Sequence, residues 1–203
     1  MAAIRTLFTD IGGVLLTNGW DRAMRMKACE HFNLDATEVD ERHHLTFDTY
    51  EIGKLSLDEY LKRTIFYEPR PFITEDFRHF MFEQSQPLPS MAEFVTALKA
   101  KHSLKVVAIS NEGRELAHHR IHKFRMGEYI DAFVVSGFVY TRKPDESIFR
   151  LALDIVQATT GDSIYMDDRL LFVEVASSIG FQGIHHTSLE STSAAFAEHG
   201  LSV

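Results

Sequence analysis

Short apolar segments that end in polar residues alternate with amphipathic segments along much of the chain, and this alternation constrains the fold most. The first four apolar segments have β-branched or aromatic centres and span residues 4–9, 104–109, 132–135 and 163–166. Helical spacing covers residues 90–101, 113–124, 144–157 and 170–179, and a last strand and helix cover 183–185 and 189–199. Alternation of this kind predicts an α/β fold, a doubly wound, Rossmann-like parallel sheet with helices on both faces.

Two of the predicted helices carry start signals. Ser90 and Glu93 have the spacing of a capping box, which predicts a helix that begins there and continues to about Lys101. Pro144 suits the first turn of the helix that continues to about Gln157, because a proline there loses no hydrogen bond.

Residues 17–88 interrupt the alternation. They contain four amphipathic helical patterns and no strand pattern; the helices are predicted at roughly 21–32, 36–48, 56–66 and 74–84. The prolines of the segment Gln-Pro-Leu-Pro at 86–89 indicate a stiff connector back to the sheet. We therefore predict a core domain formed by residues 1–16 and 89–203, and a helical insertion formed by residues 17–88.

Composition excludes several partners. The chain has 203 residues with 21 basic and 29 acidic side chains, a net charge of −8, and no basic cluster, which argues against nucleic acid and anionic lipid. No run approaches the roughly 20 apolar residues of a membrane span. Cys29 is the single cysteine, so no internal disulfide forms and a cytoplasmic location is expected. The sequence leaves the oligomeric state open.

Polar residues follow the predicted strands, at the sheet edge where ligands bind in doubly wound folds. They are Asp10, Ser110 with Asn111, Lys143, and the pair Asp167 and Asp168. Each alone has a structural explanation, since aspartate, serine and asparagine also cap turns and helices. Adjacent aspartates, however, repel each other unless a cation or hydrogen-bond donors compensate. Together these carboxylates, hydroxyl and ammonium are the set that phosphoryl transfer requires.

The order of these residues resembles the haloacid dehalogenase-like (HAD) hydrolase superfamily. The matching motifs are Asp-Ile-Gly-Gly-Val at 10–14, Ser-Asn at 110–111, Arg-Lys-Pro-Asp at 142–145 and Tyr-Met-Asp-Asp at 165–168. The segment Tyr-Glu-Ile-Gly-Lys-Leu-Ser-Leu-Asp-Glu-Tyr at 50–60 also resembles the helical cap of the subgroup whose cap follows the first motif. The resemblance covers essentially the whole chain, and it identifies the predicted insertion as a cap.

The resemblance implies a Mg²⁺-dependent phosphohydrolase that acts on a small phosphorylated metabolite. Asp10 would be the nucleophile that becomes an aspartyl phosphate, and Lys143 would neutralise charge on the nucleophile and the transferring group. Mg²⁺ would be bound by Asp10, the backbone carbonyl of Gly12 and Asp168, with Asp167 bound directly or through water. These oxygen ligands suit a small, hard cation.

The phosphate and the substrate would contact other parts of the chain. Ser110 and Asn111, with neighbouring backbone N–H groups at the start of the next helix, would bind the phosphate. The cap would close over the site and select the substrate.

One position departs from the family pattern. Its phosphatases usually have a second aspartate two residues after the nucleophile as general acid and base, and this chain has Gly12 there. General acid–base catalysis contributes typically about 10²–10⁴-fold. We therefore expect either a preference for good leaving groups, such as acyl or aryl phosphates, or an acid supplied by the cap. The candidate acids are His43 and His44, and the candidate anion contacts in the cap are Arg22, Arg25 and Lys54.

Two alternatives follow from the same residues. The glycine at position 12 is compatible with a weakly active or inactive protein that binds a phosphorylated ligand or partner. A haloacid dehalogenase also uses an aspartate nucleophile, but it needs no metal, and the paired Asp167 and Asp168 would then have no function.

Overall fold

Five parallel strands form one sheet in this computed structural model, which describes residues 3–203. The strands are β1 (Thr6–Thr9), β2 (Lys105–Ser110), β3 (Ala132–Val135), β4 (Ser163–Asp167) and β5 (Gln182–His185). Their order in the sheet is β3-β2-β1-β4-β5, and Phe8 of β1 lies opposite Val107 and Tyr165. The predicted doubly wound parallel α/β fold is confirmed, and β1 is its central strand.

Residues 3–203 also form ten α-helices. They are α1 (Arg22–Phe32), α2 (Ala36–Glu51), α3 (Leu57–Thr64), α4 (Thr74–Glu83), α5 (Pro89–His102), α6 (Arg114–Lys123), α7 (Ser136–Val139), α8 (Glu146–Val156), α9 (Leu170–Ser178) and α10 (Leu189–Glu198). Among residues 3–203, no helix combines the length and hydropathy that a bilayer-spanning segment needs.

Each face of the sheet is buried by helices because alternate side chains of a strand point to opposite faces. Leu7 of β1 packs in one apolar layer with Leu98 of α5 and Phe196 of α10. Phe8 packs in the other layer with Phe149 of α8, in which Val173 of α9 is also buried. Strands covered on both faces are expected to have apolar centres, as β2 has over residues 106–109.

Helices α1 to α4 lie between β1 and α5 in the chain and share an apolar cluster of their own. Its fully buried members include Leu61, Phe77 and Met81. Three of the four helices begin with a side-chain cap: Asp21 before α1, Asp35 before α2 and Ser56 before α3. Such caps pair N–H groups that have no partner inside the helix.

Two predicted helix starts were wrong. Helix α5 begins at Pro89, after Leu88, so Ser90 lies inside the first turn and forms no capping box with Glu93. The cause is the proline, which lacks an N–H and takes the first helical position. Pro144 lies before the helix that it was expected to open, because Asp145 accepts a hydrogen bond from the Ser147 N–H and caps α8. The one-turn helix α7 was not predicted.

Candidate active site

Three aspartates meet at the carboxyl ends of β1 and β4. Asp10 directly follows β1, and its N–H donates to the Met166 carbonyl oxygen of the neighbouring strand at 2.9 Å. Asp167 ends β4, and Asp168 follows it. The three residues each offer a carboxylate oxygen within 4.8 Å of the others. The parallel pairing of β1 with β4 therefore brings together acids that lie about 157 residues apart in sequence.

Lys143 is fully buried between two of these acids. Its Nζ lies 3.1 Å from Asp10 Oδ2 and 2.6 Å from Asp167 Oδ2. Burial opposes the charged ammonium, but the two carboxylates outweigh it and raise the pKa of Lys143. Burial also raises the pKa of Asp10, against the attraction of Lys143 and with repulsion from Asp167. The site thus contains more negative charge than its single lysine neutralises.

Asp167 and Asp168 differ in the number of hydrogen bonds that their carboxylate oxygens accept from the protein. Asp167 Oδ2 accepts hydrogen bonds from Lys143 and the Tyr165 hydroxyl, and Oδ1 accepts one from the Arg169 N–H at 2.8 Å. Asp168 Oδ1 is buried and accepts no hydrogen bond within residues 3–203. The raised pKa of Asp168 has burial and the charge of Asp10 as its main causes. A cation beside Asp10 and Asp168 would remove both the unpaired oxygen and the repulsion.

Gly13 shapes the same corner of the site. Its φ is +73°, and a Cβ placed there would lie 2.2 Å from Asp168 Oδ2. Only glycine fits, because any larger residue would combine backbone strain with a clash against the carboxylate. The hard oxygen donors and the space that Gly13 leaves fit a magnesium ion.

The segment after β2 contains a buried ion pair that the sequence did not indicate. Ser110 Oγ donates to Glu112 Oε1 at 2.9 Å, and Arg120 donates to the same oxygen at 2.7 Å. Arg120 also donates to the Thr17 carbonyl oxygen. Glu112 directly follows the Ser-Asn motif, but no sequence pattern connects it with Arg120.

The Asn111 side chain is hydrogen-bonded to the backbone of Lys143. Its Nδ2 donates to the Lys143 carbonyl oxygen at 2.8 Å, and its Oδ1 accepts from the Lys143 N–H at 2.9 Å. Asn111 therefore connects the two loops that carry the predicted phosphate contacts and the lysine. Its predicted contact with substrate stays a prediction.

A cavity of about 120 Å³ opens beside Asp10, and residues from the helices after β1 line its far side. His43 lines it, and its Nδ1 lies 2.7 Å from the Tyr60 hydroxyl oxygen. The pKa of His43 falls to about 3, chiefly through burial. His44, the other acid suggested by the sequence, is exposed.

The anion contacts suggested for the helical segment lie elsewhere. Arg22 and Lys54 are exposed, and Arg25 is buried in an ion pair with Asp40 at 3.0 Å. None of the three lines the cavity, to which Arg142 and Arg169 contribute instead. The sequence did not indicate these two arginines as substrate contacts.

Glu51, the last residue of α2, lines the same cavity as Asp10 and was also missed. Burial raises its pKa to about 7. Its backbone carbonyl accepts a hydrogen bond from Ser136 Oγ at 2.7 Å, which fixes the end of α2 against the end of β3. A helical pattern alone does not show which residue of a last turn faces a neighbouring domain.

Comparisons with known proteins agree on one family. A family model described as a haloacid dehalogenase-like hydrolase matches residues 4–180. None of the curated proteins matches the chain.

Solved structures with the same fold cover nearly the whole chain. A HAD family enzyme from Bacteroides thetaiotaomicron, solved as a complex with magnesium and inorganic phosphate, has a TM-score of 0.79 and 18% identity, covering 96% of this chain and 100% of that one. A predicted HAD-like family hydrolase from Porphyromonas gingivalis has a TM-score of 0.77 and 16% identity, covering 97% and 98%. A HAD phosphatase from Thermococcus onnurineus has a TM-score of 0.63 and 16% identity, covering 91% and 86%.

Proposed function

The chain belongs to the haloacid dehalogenase-like hydrolase family, and from that premise we propose that it is a Mg²⁺-dependent phosphohydrolase acting on a small phosphorylated metabolite. The observation that carries the proposal is the cluster of Asp10, Lys143, Asp167 and Asp168 at the carboxyl ends of two adjacent strands. The magnesium and phosphate bound by the Bacteroides enzyme of the same fold support it.

Asp10 is the nucleophile in this proposal. The Ile11 N–H donates to its Oδ1 at 2.7 Å and Lys143 lies against its Oδ2, so the carboxylate has a fixed orientation. Attack on phosphorus breaks the bond to the leaving-group oxygen and forms an aspartyl phosphate. Water then attacks that phosphorus, which releases inorganic phosphate and restores the carboxylate.

The remaining residues of the site bind the metal ion and the phosphate and neutralise their charges. Asp10, Asp168 and the backbone carbonyl of Gly12 would hold Mg²⁺, which when bound supplies positive charge to the phosphoryl oxygens. Asp167, already hydrogen-bonded on both oxygens, orients Lys143, whose ammonium faces the nucleophile. Ser110 would contact the phosphate after its hydroxyl turns from Glu112.

We further propose that residues 17–88 form a cap domain that selects the substrate. The cavity between this segment and Asp10 measures about 120 Å³. Sites for drug-sized ligands measure about 300–1,000 Å³, so the cavity suits a small metabolite. Arg142 and Arg169 contribute guanidinium groups to its wall, which suit the phosphate of a phosphorylated compound.

The test is metal-dependent release of phosphate from acetyl phosphate, p-nitrophenyl phosphate and an alkyl phosphate, each with Mg²⁺ or with chelator. We expect release that requires Mg²⁺ and that falls by about 10⁴-fold or more in Asp10→Asn. Asp154→Asn, which replaces an exposed aspartate on α8, is the matched control and should keep full activity. Halide release from a 2-haloacid without metal would contradict the proposal.

Binding without turnover is the second candidate, and the glycine at position 12 favours it. A Cβ at Gly12 would lie 2.8 Å from Asn18 Oδ1, so the Asn18 amide occupies the space of a side chain there. If calorimetry detects phosphate binding and no ester is hydrolysed, the protein binds a phosphorylated ligand without turnover. Gly12→Asp combined with Asn18→Ala should then create activity, because the double variant supplies both the acid and its space.

A further inference from the structure

The cleft lacks an acid at position 12 and has no room for one there without movement of Asn18. Gly12 offers no proton, and the nearest heavy atom to a side chain at that position is the oxygen of a neutral amide. An alkoxide leaving group needs a proton as its bond to phosphorus breaks. A phosphohydrolase that cleaves alkyl phosphates with this chain's residues therefore needs another proton donor in the same cavity.

Five residues that line the cavity carry a carboxyl group or an imidazole, and four of them are committed to other contacts. Asp10 is the nucleophile, and Asp21 caps α1 by accepting the Met24 N–H. Glu112 is paired with Arg120 and Ser110. His43 Nδ1 lies 2.7 Å from the Tyr60 hydroxyl oxygen, and burial lowers its pKa to about 3, so near neutral pH the imidazole is neutral and a poor proton donor. The fifth is Glu51.

We propose that Glu51 is the general acid and base of this enzyme, an inference that rests on the proposed phosphohydrolase function. Glu51 lines the same cavity as Asp10 and Gly12. Its Oε2 is buried and accepts no hydrogen bond within residues 3–203, although an Arg142 nitrogen lies 3.2 Å away. A quarter of the side chain is exposed, and Glu51 lines the cavity that a substrate would enter.

Close contacts between α2 and the core fix the position of Glu51. Ser136 Oγ donates to its carbonyl oxygen, and the Glu112 N–H donates to the same hydroxyl group at 2.9 Å. Two residues further on, a Cβ at Gly53 would lie 2.3 Å from the Gly137 carbonyl oxygen. The backbones of the two parts therefore touch, and such contact gives a catalytic group the fixed position that proton transfer requires.

Burial makes Glu51 suitable as an acid that works near neutral pH. Burial raises its pKa to about 7, with Arg169 as the largest opposing influence. The charged groups that face it are Arg25, Asp48, Glu112, Arg142, Lys143 and Arg169. A carboxyl group with a pKa near the working pH is protonated in part of the molecules and still a competent base after it donates.

The proton balance covers both steps. While Asp10 attacks phosphorus, the Glu51 carboxyl group gives its proton to the departing alkoxide, which leaves as an alcohol. The Glu51 carboxylate then takes a proton from the water that attacks the aspartyl phosphate. Phosphate is released, and both side chains return to their starting states.

The experiment compares Glu51→Gln with Glu51→Asp and wild type on an alkyl phosphate and on p-nitrophenyl phosphate. We expect Glu51→Gln to lower kcat for the alkyl ester by about 10²–10⁴-fold. With p-nitrophenyl phosphate it should release a burst of one nitrophenolate per active site, followed by slow turnover, because only the second step then needs the base. Glu51→Asp keeps a carboxyl group and should recover part of the loss.

The pH profile provides a second measurement. Wild-type kcat/KM for the alkyl ester should fall above about pH 7, where the acid loses its proton, and the decline should be absent in Glu51→Gln. In metal-free protein, infrared difference spectra should show a carboxylic acid band that titrates near pH 7 in wild type and is missing from Glu51→Gln. This measurement requires no turnover.

Asp48→Asn is the matched control, because Asp48 lies one turn earlier on α2 and contacts the same Arg142. It should keep alkyl phosphatase activity. The proposal is overturned if Glu51→Gln keeps alkyl kcat within about threefold of wild type or retains the alkaline decline. If wild type hydrolyses no ester while the Glu51 band still titrates near pH 7, the proposed phosphohydrolase function is wrong, although Glu51 is protonated as expected.

Discussion

Asp10 and Glu51 line the same cleft, but different parts of the fold position them. Asp10 and Asp167 lie at the ends of strands, where hydrogen bonds within the sheet and ion pairs with Lys143 from the loop before α8 fix them. Glu51 reaches the cleft from α2, and its position depends on a hydrogen bond to Ser136 and on backbone contact. The nucleophile therefore depends on strand pairing, whereas the proposed acid depends on the docking of a helix.

The largest expected effect tests the strand-end group. Lys143→Met should reduce the free energy of unfolding by about 3–5 kcal/mol, because it leaves buried Asp10 and Asp167 without their cation. Urea denaturation measures the change. Lys99→Met is the control: it removes a partly exposed pair with Asp131 and should cost about 1 kcal/mol or less. Equal losses in the two variants would show that the buried group contributes no more than a surface pair.

The second effect tests the docked helix. Gly53→Ala should cost about 2–3 kcal/mol, since Gly53 has a φ of +70° and its added Cβ would overlap the Gly137 carbonyl oxygen. We also expect a loss of alkyl phosphatase activity, because Glu51 moves with the end of α2. In Gly161→Ala the new methyl group meets nothing within 4 Å, and both properties should stay unchanged. If Gly53→Ala is destabilised but keeps full activity, catalysis does not depend on how α2 docks against the core.

The third effect depends on pH. The pKa of Glu51 rises on folding from its ordinary 4.5 to about 7, so the folded state favours the protonated form. This contribution to stability is complete below about pH 4.5 and is lost as pH rises through 7. Glu51→Gln does not titrate at this position, so it does not lose this stability as pH rises. Between pH 5 and pH 8 its free energy of unfolding should therefore increase by about 1–2 kcal/mol relative to that of wild type, allowing for partial exposure. The same stability difference at both pH values would contradict the raised pKa.

The smallest effect compares two stacked tyrosines, Tyr50 of the docked helix α2 and Tyr60 of α3. The Tyr50 hydroxyl is buried and has no hydrogen-bond partner within residues 3–203, whereas the Tyr60 hydroxyl accepts from Trp20 Nε1 at 3.0 Å and also bonds to His43. Tyr60→Phe should lower the free energy of unfolding by about 1 kcal/mol, whereas Tyr50→Phe should leave it unchanged or raise it, because only Tyr60→Phe breaks hydrogen bonds. Thermal denaturation of the two variants measures the difference, and the opposite order would refute this explanation.

The same contrast explains what the sequence could predict. Apolar segments with polar ends predicted the five strands, and the shared sheet edge brought Asp10, Lys143 and the two aspartates together as expected. Those predictions need only strand order and register. Glu51 was missed because its role depends on the angle at which α2 meets the sheet, which side-chain periodicity does not encode.

Other omissions have the same physical cause. Arg120 donates to the Thr17 carbonyl oxygen across 103 residues of sequence, and Asn18 fills the space beside Gly12. Such contacts depend on side-chain directions in loops. The start of α8 was wrong for a local reason, since the Asp145 carboxylate competes successfully for the capping position.

The Asn111 side chain has a consequence for how the cleft responds to ligands. An amide that both donates to and accepts from the backbone of Lys143 copies a peptide group, and it joins two loops as if one more residue of strand lay between them. The loop after β2 and the loop that carries Lys143 are therefore joined before any ligand arrives. The distance between Lys143 and the phosphate contact proposed at Ser110 is consequently set when the chain folds, and only the Ser110 hydroxyl has to turn from Glu112.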